Sequence, residues 1–411
     1  MTWRIDYQCP QCGGPITLEE TDRFFICGFC RVRLYITSRG PFQYCLVPKD
    51  KKDGLIYIPY WRFKGIVYTV RKGKIHHRIL DTTRIAAPFN KLPFSLGVRP
   101  QTQHLKFATG KMDGEFIQQS VPLSAILTNM ENQLSELGVD VAARDTFEKA
   151  YIGETVSIIY APYRKTGDFL TDAIQTKYIH KLDQPLETPP ISDKVDRWSP
   201  KFLPAMCPEC GWDLSGERES CVFVCGNCAT AWASSLAGFK KVALGVSLKQ
   251  GDNVTYIPFW RIRPKITGVE ITSYADLVRF ANLPRVIQPQ WESTPLVFWA
   301  PAFKIHPSVF LRLGGMLTTS FSGDVNNENL KLGSVYPVTL PQEEAVESLK
   351  IIFASLMVSK RKNYARLPDI HITAQESELI LLPFVSRGNE FIYEKQNIAI
   401  QKVALAYGRN F

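Results

Sequence analysis

Long apolar runs are missing from this sequence, and so are the short motifs of the common catalytic machineries. The nearest approaches to a membrane-spanning stretch, residues 351–358 and 379–385, fall far short of the roughly 20 apolar residues that a spanning helix needs. Residues 1–9 show no basic region followed by an apolar one, so no secretory signal is expected, and a cytoplasmic location is. No Walker loop, G-x-G-x-x-G, G-x-S-x-G or HExxH pattern occurs, and nothing argues for an enzyme. Histidine is scarce, and only His76 and His77 are adjacent. Neighbours on a strand point to opposite faces, so that pair cannot hold one ion between them. With 45% hydrophobic and 21% charged residues the composition is that of a folded protein, which excludes collagen-like and low-complexity architectures. A length of 411 residues predicts two or three domains.

What the chain has in quantity is cysteine, ten residues, and positive charge, a formal net of +10. Eight cysteines form two matching sets, Cys9, Cys12, Cys27, Cys30 and Cys207, Cys210, Cys225, Cys228, each member 198 positions after its counterpart. Downstream, Tyr57-Ile-Pro-Tyr-Trp-Arg62 returns as Tyr256-Ile-Pro-Phe-Trp-Arg261. Later still, Ile158-Ile-Tyr-Ala-Pro-Tyr163 is answered by Leu379-Ile-Leu-Leu-Pro-Phe384. The order of landmarks is the same in both halves, so one module is used twice.

The expected fold is α+β, mainly β: a tandem duplication of a zinc ribbon followed by a strand-rich domain with one main helix. The segments are 1–38 for the first ribbon, 39–180 for the first β-rich domain, 181–205 for a linker, 206–236 for the second ribbon and 237–411 for the second domain. Pro185, Pro189, Pro190, Pro200 and Pro204 make the linker extended and semi-rigid. Alternation predicts a strand over 55–70, a turn at 71–74 and a returning strand over 75–80. Helical spacing predicts a helix over 124–137, capped by Ser124, with a counterpart over 342–360 that ends on Lys360, Arg361 and Lys362. Each module closes with a hairpin, turning at 165–168 and at 387–390. The second module is longer, mostly between 265 and 330, and 296–303 reads as a further apolar strand.

Each cysteine set reads C-x2-C, fourteen residues, C-x2-C. The spacing suits a tetrahedral ion held on two tight knuckles. Glycine after Cys12 and Cys210 allows the sharp turn there, and 15–18 with 23–26 are expected to form a short hairpin between the knuckles. Ordinary core thiols would not fall into two sets of identical spacing. Cys9-Pro-Gln-Cys-Gly13 and Cys207-Pro-Glu-Cys-Gly211 resemble zinc ribbons of the transcription-factor-IIB or rubredoxin-knuckle kind, over about thirty residues per copy. The ion expected is zinc, two per chain, each in a closed structural site. Iron, which would make a rubredoxin-like one-electron carrier, is the alternative. Cys45 and Cys221 have no counterparts and are expected to be packed free thiols.

The charge is local. Residues 39–111 hold fifteen Lys and Arg against Asp50, Asp53 and Asp81, so the remainder of the chain carries a small negative net. Arg62, Lys64, Arg71, Lys72, Lys74 and Arg78 form a candidate anion-binding surface interleaved with aromatics. Phosphates with stacked bases, an acidic protein or an anionic membrane surface would each suit it. The competing reading is that the aromatics fill the core: 57, 59, 61 and 63 share one apolar face, and 58, 60, 62 and 64 share the other. Two functions follow: a non-catalytic zinc scaffold or adaptor for protein partners, or a nucleic-acid-binding protein using residues 39–111.

Overall fold

The computed structural model describes residues 3–48, 50, 54–71, 73–89, 92–109, 112–128, 146–175, 179–181, 198–247, 249, 253–320 and 333–408. It is α+β and mainly β, as the sequence predicts. Compactness divides the chain into two units rather than the five segments read from sequence. One comprises 1–64, 81–143 and 155–204; the other comprises 65–80, 144–154 and 205–411.

The strands begin with β1 (Arg4–Gln8), β2 (Pro15–Glu19), β3 (Phe24–Ile26), β4 (Arg33–Thr37) and β5 (Phe42–Leu46) of the first unit, then β6 (Leu55–Arg71) and β7 (Lys74–Ile85), of which residues 65–80 belong to the second unit. The first unit continues with β8 (His104–Phe107), β9 (Glu115–Phe116), β10 (Thr146–Thr166, its residues up to 154 belonging to the second unit), β11 (Phe169–Asp172), β12 (Ile179–Lys181) and β13 (Lys201–Pro204). The main sheet runs β12-β11-β10-β5-β8-β1-β2, and β6 pairs with β10, β7 and β9. The expected hairpin of 15–18 with 23–26 does not form. Instead β2 pairs with β1, and β3 with β4, because each cysteine knuckle is itself the turn that joins its two flanking strands. The end of the expected linker is also structured. β13 pairs with β4 in register Lys201↔Thr37 to Pro204↔Leu34, and Trp198 is buried. Residues 182–197 lie outside the described residues.

The first ribbon is no separate domain. Trp3, Ile5, Leu18, Phe25, Leu34 and Ile36 share one buried cluster with Ile56, Ile58, Tyr60, Leu105, Phe107 and Ile159 of the sheet. The opposite face of β6, through Leu55 and Tyr57, packs with Phe116, Ile158 and Tyr160. Both faces of β6 are therefore core between 55 and 60, which explains its continuous apolar run where alternation would mark a strand wetted on one side.

The second unit holds β14 (Val222–Val224), β15 (Ala231–Ser235), β16 (Gly238–Val242), β17 (Leu244–Val246), β18 (Val254–Thr267), β19 (Phe298–Pro301), β20 (Ser334–Val335), β21 (His371–Arg387), β22 (Glu390–Tyr393) and β23 (Ile398–Gln401). Its sheet runs β19-β18-β21-β22-β23, with β17 and β20 parallel to β21 and β18. Two helices, Tyr274–Ala281 and Pro307–Ser320, lie in the stretch that read only as extra length. The first carries a recognisable start, a capping box in which Ser273 and Asp276 each bond the other's backbone, and it ends on Asn282 in the left-handed region. The counterpart helix spans Gln342–Leu356, and Lys360–Tyr364 is a separate short helix, so Lys360, Arg361 and Lys362 do not close the longer one. In the first copy a helix starts at 123, so Ser124 lies inside it rather than capping it. The rest of the expected 124–137 helix lies outside the described residues.

The duplication extends to single hydrogen bonds. Ala86 N–H donates to Pro59 O at 2.9 Å, and Ala302 N–H to Pro258 O at 3.2 Å. Ser120 and Val121 both donate to Ala86 O, as Thr339 and Leu340 do to Ala302 O. The indole of Trp61 donates to Val121 O at 2.7 Å, and that of Trp260 to Leu340 O at 2.9 Å. Each repeated tryptophan thus ties its strand to the residue just before its helix, which is why the motif recurs with Trp fixed and Tyr60 replaced by Phe259.

Glu344, in the first turn of that second helix, accepts the N–H groups of Gly153 and Glu154. Burial pushes its carboxyl up to about 7, although nearby Lys304 and these two amides oppose the shift. A carboxyl raised on folding contributes stability that is full below the ordinary value of 4.5 and is lost as pH climbs toward about 7. Glu344→Gln should therefore flatten the fall in unfolding midpoint of the second unit between pH 5 and 8. Equal slopes for wild type and variant would refute this assignment.

Candidate metal centres

Each four-cysteine set comes together. The ligand atoms of Cys9, Cys12, Cys27 and Cys30 lie within 4.8 Å of one another, and so do those of Cys207, Cys210, Cys225 and Cys228. Individual sulfur separations are 3.8 Å for Cys9–Cys30, 3.7 Å for Cys12–Cys27, and 3.6 Å for both Cys207–Cys228 and Cys210–Cys225. Four sulfurs placed 2.3 Å from a tetrahedral ion would be about 3.8 Å apart. The donor sets fit such an ion, and four thiolates complete its coordination. The described residues thus carry two four-cysteine groups, each of which could hold a metal ion.

All four knuckles share one backbone device. The first cysteine of each accepts an N–H from the residue four places on: Gly13 to Cys9, Arg31 to Cys27, Gly211 to Cys207 and Ala229 to Cys225. Each of those donors has positive φ, at 73°, 58°, 71° and 52°. Glycine after Cys12 and Cys210 meets that need as the sequence suggests. The second knuckles meet it with Arg31 and Ala229, and neither Gly28 nor Gly226 has positive φ. Those left-handed positions were invisible in the sequence because the residue types there give no signal.

Within each group the thiols are shifted in opposite directions: burial and the neighbouring thiols push Cys30 and Cys225 up to about 12, while backbone amides favour the thiolate at others. The N–H groups of Cys30 and Phe29 hold the Cys27 thiol down to about 6. Burial opposes ionisation of Cys207, yet the Cys210 amide and the Thr230 hydroxyl bring it to about 6 as well. At the second site Trp232 donates its indole N–H to Thr230 Oγ1 at 2.8 Å, and that oxygen lies 3.0 Å from Cys228 Sγ. The Thr230 hydroxyl, held by the indole, lies between the sulfurs of Cys228 and Cys207 as an outer contact that orients the ligands.

Cys45 and Cys221 stand outside both groups. Burial pushes each thiol up to about 12. Both point at backbone carbonyls, Lys106 O and Val338 O.

The candidate anion surface divides. Arg62 does not belong to it: its side chain is 2% exposed. Its Nε lies 3.2 Å from Glu20 Oε1, its Nη2 donates to Glu20 Oε2 at 3.2 Å, and Nη1 reaches Asp81 and Phe63 O. Trp3 stacks beneath it with the guanidinium carbon 4.4 Å from the ring centre. Strand alternation misplaced Arg62 because both faces of β6 are covered here, one by the Glu19–Asp22 turn of the ribbon. Lys64 and Arg71 are half-buried, Lys74 and Arg78 are exposed, and Lys72 lies outside the described residues. Among the aromatics Tyr57, Tyr60, Phe63 and Tyr68 are all buried, so the core reading of these rings holds.

No helix among the described residues is long and apolar enough to cross a membrane. Set beside known protein families, curated proteins and solved structures, the chain matches none of them.

Proposed function

We propose that this chain is a non-catalytic zinc protein, a scaffold or adaptor whose two modules present surfaces to protein partners. The observation that carries the reading is the pair of closed four-cysteine groups, each with all ligand atoms within 4.8 Å. Four thiolates leave no coordination position for a substrate, and soft sulfur in tetrahedral array favours zinc. Each ribbon shares its hydrophobic cluster with the sheet of its own unit, so the ion braces a larger body. Two similar modules in one chain make a wide or bivalent surface, which suits an adaptor.

Metal analysis of purified protein tests the first half of this reading. Two zinc ions per chain, one for each cysteine group, and a colourless solution are expected. A visible iron–thiolate band would replace the scaffold with an electron carrier.

A further inference from the structure

We propose that residues 74–80 of β7 form an open strand edge that accepts an acidic, extended peptide of a partner protein as an added strand. The inference rests on the scaffold reading and names the chemistry of the partner. β7 pairs with β6 on one side, and among the described residues no strand pairs with its other side. The far end of β7 is closed, since Ile85 donates its N–H to Phe94 O at 3.0 Å. The open half is the one beside the Gly73 turn.

That half is built to stay put and to face outward. His77 is turned toward Tyr68 and His306, with ring centres 6.4 Å and 5.6 Å away, and Ile75 packs against the buried cluster of the second unit. Alternation sends Lys74, His76 and Arg78 to the opposite face, where all three are exposed, and Ile79 is 44% exposed. No Asp or Glu occurs from Gly54 to Leu80, and the first one after it, Asp81, is held by Arg62. The edge therefore offers backbone N–H and C=O groups beside the charged side chains of Lys74 and Arg78, with no acidic side chain on the segment.

Three occupants can be weighed on that chemistry. A strand edge presents donors and acceptors alike, and an extended peptide answers both. The phosphates of a nucleic acid supply acceptors only and do not repeat at the spacing of a strand's donors and acceptors, so the edge carbonyls would go largely unmatched. A second copy of the chain would set Lys74 and Arg78 against their own like charges. An acidic peptide with alternating apolar residues fits the backbone, the charge and the exposed Ile79 together.

The test is a fluorescence-anisotropy titration of the full zinc-loaded chain with a labelled octapeptide alternating Glu and Val. Saturable binding is expected. N-methylation of alternate peptide amides should abolish it, and Lys74→Glu/Arg78→Glu should weaken it by about tenfold or more. Equal binding of the N-methylated peptide would mean charge attraction without strand pairing and would overturn the proposal. Binding of a single-stranded oligonucleotide in place of the peptide would overturn it in favour of nucleic acid. No binding of either probe would also overturn it. Proteins captured equally from native extract by wild type and the double variant would remove this site while leaving the scaffold reading standing. Both substituted residues are exposed, so the variant is expected to fold, and its circular dichroism should match wild type.

Discussion

Cys12→Ser is expected to release one of the two ions and to unfold far more than the thirty residues around it. Cys12 and Cys210 are the informative positions because both are exposed, so substitution removes a ligand with little change in packing. Metal binding in comparable small sites is worth about 10–16 kcal/mol, which equals or exceeds the roughly 5–15 kcal/mol that holds a whole domain folded. The ligands Cys9 and Cys27 sit in the same buried cluster as Tyr60, Leu105 and Ile159, and β1 is a member of the main sheet beside β8. Loss of the ion should thus be transmitted to the sheet of the first unit. Amide exchange should show protection falling across β1, β2, β8 and β5, together with the loss of one metal equivalent. Cys210→Ser should do the same to the second unit, where Val222 and Ala231 of the ribbon share the core of β18 and β21. If Cys12→Ser loses its ion and the sheet keeps full protection, the ribbons are appendages and this account of their role fails.

Arg62→Met should cost on the order of 3–5 kcal/mol of unfolding free energy, by the usual penalty for leaving one member of a buried ion pair alone. Glu20 is the stranded partner. It is buried, burial already pushes its carboxyl upward against the pull of Arg62 and, more weakly, of Lys64, and Ser157 Oγ lies 3.5 Å from it. Asp81 is about half exposed and can turn to water. The double variant Arg62→Met/Glu20→Leu should accordingly recover much of the loss, since it removes both charges from the interior. Urea unfolding of the four proteins in the cycle measures this directly. A single-variant cost within about 0.5 kcal/mol of zero, the usual range at exposed positions, would show that Arg62 is a surface group after all.

The contrast between Arg62 and the cysteines shows where the sequence was legible. C-x2-C spacing is local, so each knuckle could be read directly. Repetition then supplied the pairing of knuckles and the equivalence of Trp61 with Trp260. Arg62 was misread because its environment is set by Glu20, forty-two residues earlier, in a turn whose contact with β6 no local pattern reports. The hairpin expected between 15–18 and 23–26 failed for a related reason: both segments have strand character, and only pairing partners distinguish the alternatives. The helix at Tyr274–Ala281 was readable in principle from its capping box. The helix at Pro307–Ser320 contains Gly314 and Gly315, which weaken any helical signal, and it is stabilised by burial of Phe310, Leu313 and Leu317.

By itself, then, the sequence determined the two four-cysteine groups, the duplication and the mainly β class, because these rest on short-range spacing and on repetition. Tertiary structure alone decided that the ribbons share the cores of their units, that β13 completes the first ribbon, and that Arg62 is buried while Lys74 and Arg78 remain exposed. Those outcomes depend on contacts between residues far apart in the chain, and a residue's own neighbours in sequence carry no record of what will cover it.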